Sequence, residues 1–416
     1  MAPVSPARAA SPAAKRALSP ATPRGSASTT STTASPTCAD STSERASPTP
    51  KRVRVAAPTA APAAATAAEV TGEAAQIYDR QIRLWGHAAQ ARMRSARVAV
   101  LGGSSRGLAA EAVKAMALAG VGKLVIVDPA NVTPTASAAN FFVAKEGGER
   151  AAEVVAAGAR VLNPLVNVEA RTDVDVTRVA TEAEREQVRA VLASVDVAVL
   201  CDVPVPVAIT INTMARQLGV KTLFAAVWGF NAVLMADLLE HTFLHESSES
   251  SADKDGDPIV TRHRITLAFP PLTEALAYSL ATKLPPRQLK KSVTPTLLSF
   301  LAVIAYMREH DGRHPDLAKE TDRDAVRAAT AAQAKQHGVA VPEVDATALE
   351  RLFRGSTLEL APVCAVAGNL LAQEVLKTVQ GKQRPLSNLM IYTTAGGAGN
   401  VWNLGVVDTA SVTVGE

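Results

Sequence analysis

Cysteine is scarce: 416 residues hold three, Cys38, Cys201 and Cys364, far apart along the chain. That spacing excludes a disulfide framework and a cysteine-ligated zinc site, and it fits a reducing compartment. No apolar run approaches the ~20 residues a membrane span needs, so no membrane partner is expected. None follows the start as an export signal would. Large apolar side chains are nearly missing from the first seventy residues, which are mostly Ala, Ser, Thr and Pro. Such a segment buries too little surface to offset its ordering entropy, so residues 1–72 are expected to be a disordered tail. The tail holds eight Lys and Arg against Asp40, Glu44 and Glu69, a net +5, while the whole chain carries +4. The remainder is therefore near −1. It lacks the basic surface of a nucleic-acid binder, and no nucleic-acid partner is expected.

What is present begins with Val98 to Asp128, VAVLGGSSRGLAAEAVKAMALAGVGKLVIVD. Val98–Leu101 is a continuous apolar run, as in a parallel strand buried on both faces. Gly102 and Gly103 break it. Leu108, Ala112, Val113 and Met116 then recur at helical spacing up to Gly120. Leu124–Val127 is a second run, ended by Asp128. This is a βαβ nucleotide-binding unit in outline, with phosphates over the helix N-terminus and Asp128 on a ribose hydroxyl. The loop Gly102-Gly103-Ser104-Ser105-Arg106-Gly107 does not fit G-x-G-x-x-G, and Ala109 stands where a third glycine would. A Rossmann-like half without a working phosphate cradle is the competing reading.

The rest alternates strand and helix. Helical character runs over Ala74–Arg94, interrupted at Gly86. Strands are expected at Val166–Ala170, Val195–Leu200 and Thr222–Val227, and helices at Glu182–Leu192 and Pro204–Leu218. Gly229–Leu239 begins an antiparallel crossing. This pattern predicts an α/β, Rossmann-like, doubly wound and mostly parallel sheet. His241–Asp257 is polar and acidic. His241 and His245 would share a face of a helix and chelate a metal there. With no cysteine nearby, a surface loop is the expectation, and no metal site. Strand Arg264–Phe269, helices Thr296–Met307 and Arg323–Gln336, and closing strands Leu389–Tyr392 and Asn400–Leu404 follow. Cys364 sits just inside a helix N-terminus, where thiol pKa values can fall, but Val363, Ala365 and Val366 make it a packing cysteine.

YDRQIRLWG (Tyr78–Gly86), the VAVLGG strand, ALAGVGKLVIVD and LAPVCAVAGNLLAQEVLK together resemble the activating enzymes of ubiquitin-like modifiers, which have the ThiF-type adenylation fold. The resemblance spans about 73 to 405 and implies domains at 73–240 and 356–416, an acidic flexible loop at 241–262 and an insertion at 263–355. In active members the insertion carries the catalytic cysteine; here it has none. The family reaction is adenylation of a modifier's C-terminal glycine by Mg-ATP, then transfer to that cysteine. Two ThiF-type halves pair, and one keeps the site. The matches of this chain to an active half are degraded. PTASAANFF (Pro134–Phe142) keeps Asn140 but no arginine. Arg150 stands for the phosphate-binding lysine. LCDVPVPVA keeps Asp202 but loses the asparagine and arginine around it.

The resemblance therefore implies an inactive half, with Asp128 and Asp202 as relics of the cofactor site and Mg-ATP bound mainly by the partner. It implies that Arg80 reaches in trans toward the partner's ATP phosphates, as an arginine finger does; an ordinary interface salt bridge is the alternative. The APVCAVAG segment looks most like the smaller subunit of SUMO-activating enzymes, so the implied partners are a catalytic subunit and SUMO. The cullin-modifier pathway, a stand-alone homodimeric adenylyltransferase and a dehydrogenase remain open alternatives. Pro50-Lys51-Arg52-Val53-Arg54 reads as a nuclear-import signal, giving nuclear and also cytoplasmic location, or merely as solubilising charge. Ser19-Pro20, Ser47-Pro48 and Thr49-Pro50 are phosphorylation candidates beside it.

Overall fold

The structure, a computed structural model, describes residues 72–414 apart from 133–135, 144–146, 250–258, 341–352, 354 and 395–396. The tail, with its basic stretch at Pro50–Arg54, lies outside the described residues. Three short helices lead in: α1 (Glu73–Ile77), α2 (Asp79–Trp85) and α3 (His87–Ser95). The expected helix thus breaks at Tyr78 as well as at Gly86. The reason is tertiary: Tyr78 is buried, and its hydroxyl accepts from Asn163 Nδ2 at 2.9 Å.

Then come β1 (Arg97–Leu101), α4 (Gly107–Ala119), β2 (Lys123–Val127), α5 (Ala151–Leu162), β3 (Asn167–Arg171), α6 (Glu182–Leu192), β4 (Val197–Cys201), α7 (Val205–Gln217) and β5 (Lys221–Trp228). These five strands are parallel. Next are β6 (Asn231–Asp237), β7 (Glu240–Glu249), β8 (Ile259–Ala268), α8 (Leu272–Ala277), α9 (Pro286–Ser292), α10 (Pro295–Glu309) and α11 (Glu320–Gln336). The last elements are α12 (Ala361–Gln380), β9 (Asn388–Thr393), β10 (Ala398–Asn403) and β11 (Val407–Val414). The main sheet runs β10-β9-β6-β5-β4-β1-β2-β3, with β6, β9 and β10 antiparallel.

Alternate side chains of each strand enter opposite cores. Ala99, Leu101, Val125, Val127, Ala198 and Leu200 face α6, α7, α10 and α11. Val98, Val100, Leu124, Ile126, Val197 and Val199 face α4, α5 and α12. Burial on both faces explains why these strands read as unbroken apolar runs. Local signals also hold: Thr181 and Glu184 close a capping box on α6, and Thr294 caps α10.

The stretch expected as a surface loop is different. His241 to Glu249 belongs to β7, which pairs antiparallel with β8, and β11 completes a three-stranded sheet. His241 and Phe243 are buried while Thr242 and Glu246 are exposed, a strand's alternation. Polar residues on the outer face hide that period in the sequence. The start of the expected insertion is likewise β8, joined to the strand before it.

Candidate functional site

Chain direction across the sheet reverses between β1 and β4: from β1 the next strands go to β2 and β3, and the later ones to β4 and β5. Open α/β sheets place ligands at this switch point, beyond the C-terminal strand ends. The loop after β1 and the loop after β4 meet here. Gly102 and Gly103 both have positive φ (78° and 63°). A Cβ on Gly103 would stand 2.8 Å from the Cys201 carbonyl oxygen, so the turn requires glycine.

Asp128 sits at the end of β2 as expected, but its carboxylate is occupied. Oδ2 accepts from Ser104 N at 2.7 Å and Oδ1 from Ala130 N at 2.8 Å. Burial pushes this carboxyl up, and those two amide donors pull it down. Asn140 clamps the same loop: its Nδ2 donates to Ser104 O at 2.9 Å, and its Oδ1 accepts from Phe142 N at 3.0 Å. Arg150 donates to Pro129 O at 2.5 Å and is exposed. These residues hold a loop shape.

The anion position at the N-terminus of α4 is filled from within the chain. Glu359, just before α12, accepts from Gly107 N at 2.7 Å through Oε2, and its Oε1 lies 3.1 Å from Arg106 Nε. Arg106 Nε is also 3.5 Å from Asp202 Oδ2, and Asp202 Oδ1 accepts from Val227 N at 3.0 Å. The Glu359 and Asp202 side chains are each 7% exposed. A carboxylate on the first amide of a helix, flanked by a guanidinium, takes the place a phosphate would take. Beside it a cavity of about 170 Å³ is lined by Arg106, Asp202, Val227, Trp228 and His314. Trp228 stacks on Phe300 at 5.4 Å and meets the His314 ring edge-on at 5.4 Å, so α10 and the loop after it close this side. Burial and the Arg106 charge lower the His314 pKa to about 4.

Asp202, one of the residues expected as relics, is thus central here, whereas Glu359, Arg106 and His314 carried no recognised signal in the sequence. Glu359 stands 252 residues from its amide partner. Burial raises the Asp202 carboxyl to about 7, helped by Glu359 and opposed by Arg106. The sign follows: a raised acid pKa gives stability that is fully present below the unfolded value and is lost as pH rises toward about 7. Asp202→Asn supplies a neutral side chain that still accepts from Val227 N. Urea unfolding across that range is expected to show a wild-type decline of a few kcal/mol, up to about 4 at 1.36 kcal/mol per pKa unit, that the variant lacks. Parallel pH profiles for the two proteins would refute the assignment.

The other expected residues lie elsewhere. Arg80 is on α2, exposed and without a partner among the described residues, next to the Asp79–Arg83 ion pair at 3.1 Å. His241 is buried against Lys221, and His245, four residues along the same strand, is exposed. A strand carries two such residues too far apart for one ion, since i and i+4 are about 13 Å distant at the usual rise. Among the described residues no group of three or more His, Cys, Asp or Glu could hold a metal. No described helix is long and apolar enough to cross a membrane. Cys364 is buried in the first turn of α12, where burial and the nearby Glu359 and Asp202 carboxylates raise its thiol pKa, the reverse of an activated nucleophile.

The switch-point geometry, the glycine turn and the aspartates at two strand ends are those of a doubly wound, nucleotide-binding type of α/β sheet, and residues 78–404 match the ThiF family model. The chain belongs to that family. It is 31% identical over 337 residues to SUMO-activating enzyme subunit 1 of Xenopus laevis, covering 77% of this chain and 92% of that protein. The protein of the same name from Homo sapiens is 30% identical over 349 residues, 80% of this chain and 95% of its own length. That from Danio rerio is 29% identical over 345 residues, 79% and 94% respectively.

Proposed function

We propose that this chain is the non-catalytic smaller subunit of a heterodimeric SUMO-activating enzyme. Its partner is the catalytic subunit, which binds Mg-ATP, adenylates SUMO and forms the thioester. This chain supplies Arg80 in trans to the partner's triphosphate and holds no nucleotide tightly itself. Its basic tail directs the complex to the nucleus.

The observation that carries the reading is Glu359. Its carboxylate lies on the Gly107 amide and beside Arg106, where an ATP phosphate would have to sit. A triphosphate entering there would meet the buried Glu359 carboxylate, and like charges at that distance cost several kcal/mol. Asp128 is similarly committed to backbone amides. Names of the curated relatives and the intact YDRQIRLWG string favour a subunit role, and Arg80, exposed and without a partner among the described residues, suits delivery to another chain.

The test is modifier-dependent ATP–pyrophosphate exchange by the full chain, alone and with the catalytic SUMO-activating subunit. Exchange only in the mixture, and only with SUMO, is the expected outcome. Exchange by this chain alone would make it a self-sufficient adenylyltransferase. Complementation only with the cullin-modifier enzyme and its modifier would move it to that pathway.

A further inference from the structure

At the opposite end of the sheet, below the N-terminal ends of β4 and β5, lies a groove that the adenylation reading does not use. Its volume is about 330 Å³, and Arg92, Lys221, His241, Arg264 and Thr378 line it. It adjoins a wider depression that shares Arg92, Lys221 and Thr378 and extends to Arg97 and Asp196. Three cations face the groove without a carboxylate in ion-pair range among the described residues: Arg92 from α3, Lys221 at the start of β5 and Arg264 from β8. Asp196, the acid that lines the adjoining depression, is engaged by Arg97, whose Nη2 is 2.7 Å from Oδ1 and whose Nε is 3.3 Å from Oδ2.

Lys221 is the most telling. Its Nζ donates to His241 Nδ1 at 3.0 Å. Burial and the lysine charge lower the His241 pKa to about 3, so the ring is neutral and supplies no counter-charge. Burial also lowers the Lys221 pKa, with only Asp196 acting the other way. Arg92 Nε is buried without a hydrogen-bond partner, and desolvation lowers that guanidinium too. Two desolvated cations lining one groove, neither in a salt bridge among the described residues, are costly in a folded protein. An anion that met both would recover that cost through charge-assisted hydrogen bonds.

We propose that this groove is a binding site for a small phosphoryl anion, held between the Arg92 guanidinium and the Lys221 ammonium, with Arg264 at the open side. A carboxylate brings one negative charge to two cations; a tetrahedral phosphoryl dianion brings two, with oxygens directed to both. The groove is wide enough for phosphate or pyrophosphate. It is separate from the Glu359 position and stands whatever the nucleotide chemistry of the chain.

The experiment uses the full chain and two probes, inorganic phosphate and inorganic pyrophosphate, at matched ionic strength in chloride. The first readout needs no variant. A lysine with a lowered pKa acylates readily, and a bound dianion raises that pKa; either probe is expected to slow acylation of Lys221 by about tenfold, one pKa unit, while exposed Lys290 is unaffected. The second is calorimetric titration. Arg92→Gln and Lys221→Gln are each expected to weaken binding at least about tenfold, the worth of one charged hydrogen bond, while Lys290→Gln changes nothing. A response to pyrophosphate but not phosphate assigns a two-phosphoryl ligand to the same groove. Unchanged Lys221 acylation with both probes overturns the proposal. So does binding that survives both groove substitutions, or that Lys290→Gln weakens equally.

Discussion

Arg80→Ala is expected to lower SUMO-dependent ATP–pyrophosphate exchange by the reconstituted heterodimer about 100-fold, with the heterodimer itself intact. Arginine fingers supplied in trans contribute roughly 10³ to 10⁵ in phosphoryl-transfer enzymes. Attack on the α-phosphate spreads charge over fewer non-bridging oxygens than a γ-transfer, so the expected effect falls below that range, at about 2.7 kcal/mol by tenfold per 1.36 kcal/mol. The substitution leaves the fold of this chain alone. Arg80 makes no ion pair among the described residues, and α2 buries none of its side chains, so stability is expected to move by less than about 0.5 kcal/mol. Arg80→Lys separates charge from shape: it retains a cation but not the planar fork, and an intermediate loss of about tenfold is expected. Equal rates for Arg80→Ala and wild type would sink the trans-arginine proposal. Loss of rate explained entirely by dissociation of the subunits would leave only an interface salt bridge.

The largest effect on stability is expected at Arg216. Its Nη1 lies 2.6 and 2.8 Å from the two oxygens of Asp237, whose side chain is 3% exposed. Asn212 Nδ2 donates to the same carboxylate at 2.7 Å, and Asn212 Oδ1 accepts from Leu272 N at 3.0 Å. Arg216 also donates to Phe269 O at 3.2 Å. One buried cluster therefore ties α7 and β6 to the start of α8. Arg216→Met fills much of the volume but strands a carboxylate, and breaking one side of a buried pair costs about 3–5 kcal/mol. Arg216 is itself 29% exposed, so solvent reaches part of the site and about 3 kcal/mol is expected. In thermal unfolding that is a fall of roughly 4 °C for a body of this size, at about 2 cal/mol/K of unfolding entropy per residue. A shift below about 2 °C would show that water replaces the arginine freely.

The phosphate-like position of Glu359 and the pair Arg216–Asp237 share one property. Neither was visible to reading along the chain, because each joins residues whose separation in sequence carries no periodic signal. The same holds for Lys221 and His241, and for β7, where an exposed polar face masked the inward Phe243. Asp128 was found because it ends an apolar strand run, a local mark, and Asp202 because LCDVPVPVA partly matches the aspartate motif of an active half. Their hydrogen-bond partners were not, since backbone amides offer no sequence signature.

What the sequence determined by itself was the α/β pattern: five parallel strands, four of them buried on both faces, the helices between them, and a glycine turn after β1. Strand burial, helical period and the need for glycine at positive φ act over a few residues, so they are written locally. Only the tertiary structure decided what fills the candidate site. Strand order brings the β1 and β4 loops together, and the return of the chain before α12 sets Glu359 on the Gly107 amide, 252 residues away. Charge compensation is settled by proximity in space, and proximity between distant segments is a product of the packed sheet rather than of any one segment's composition.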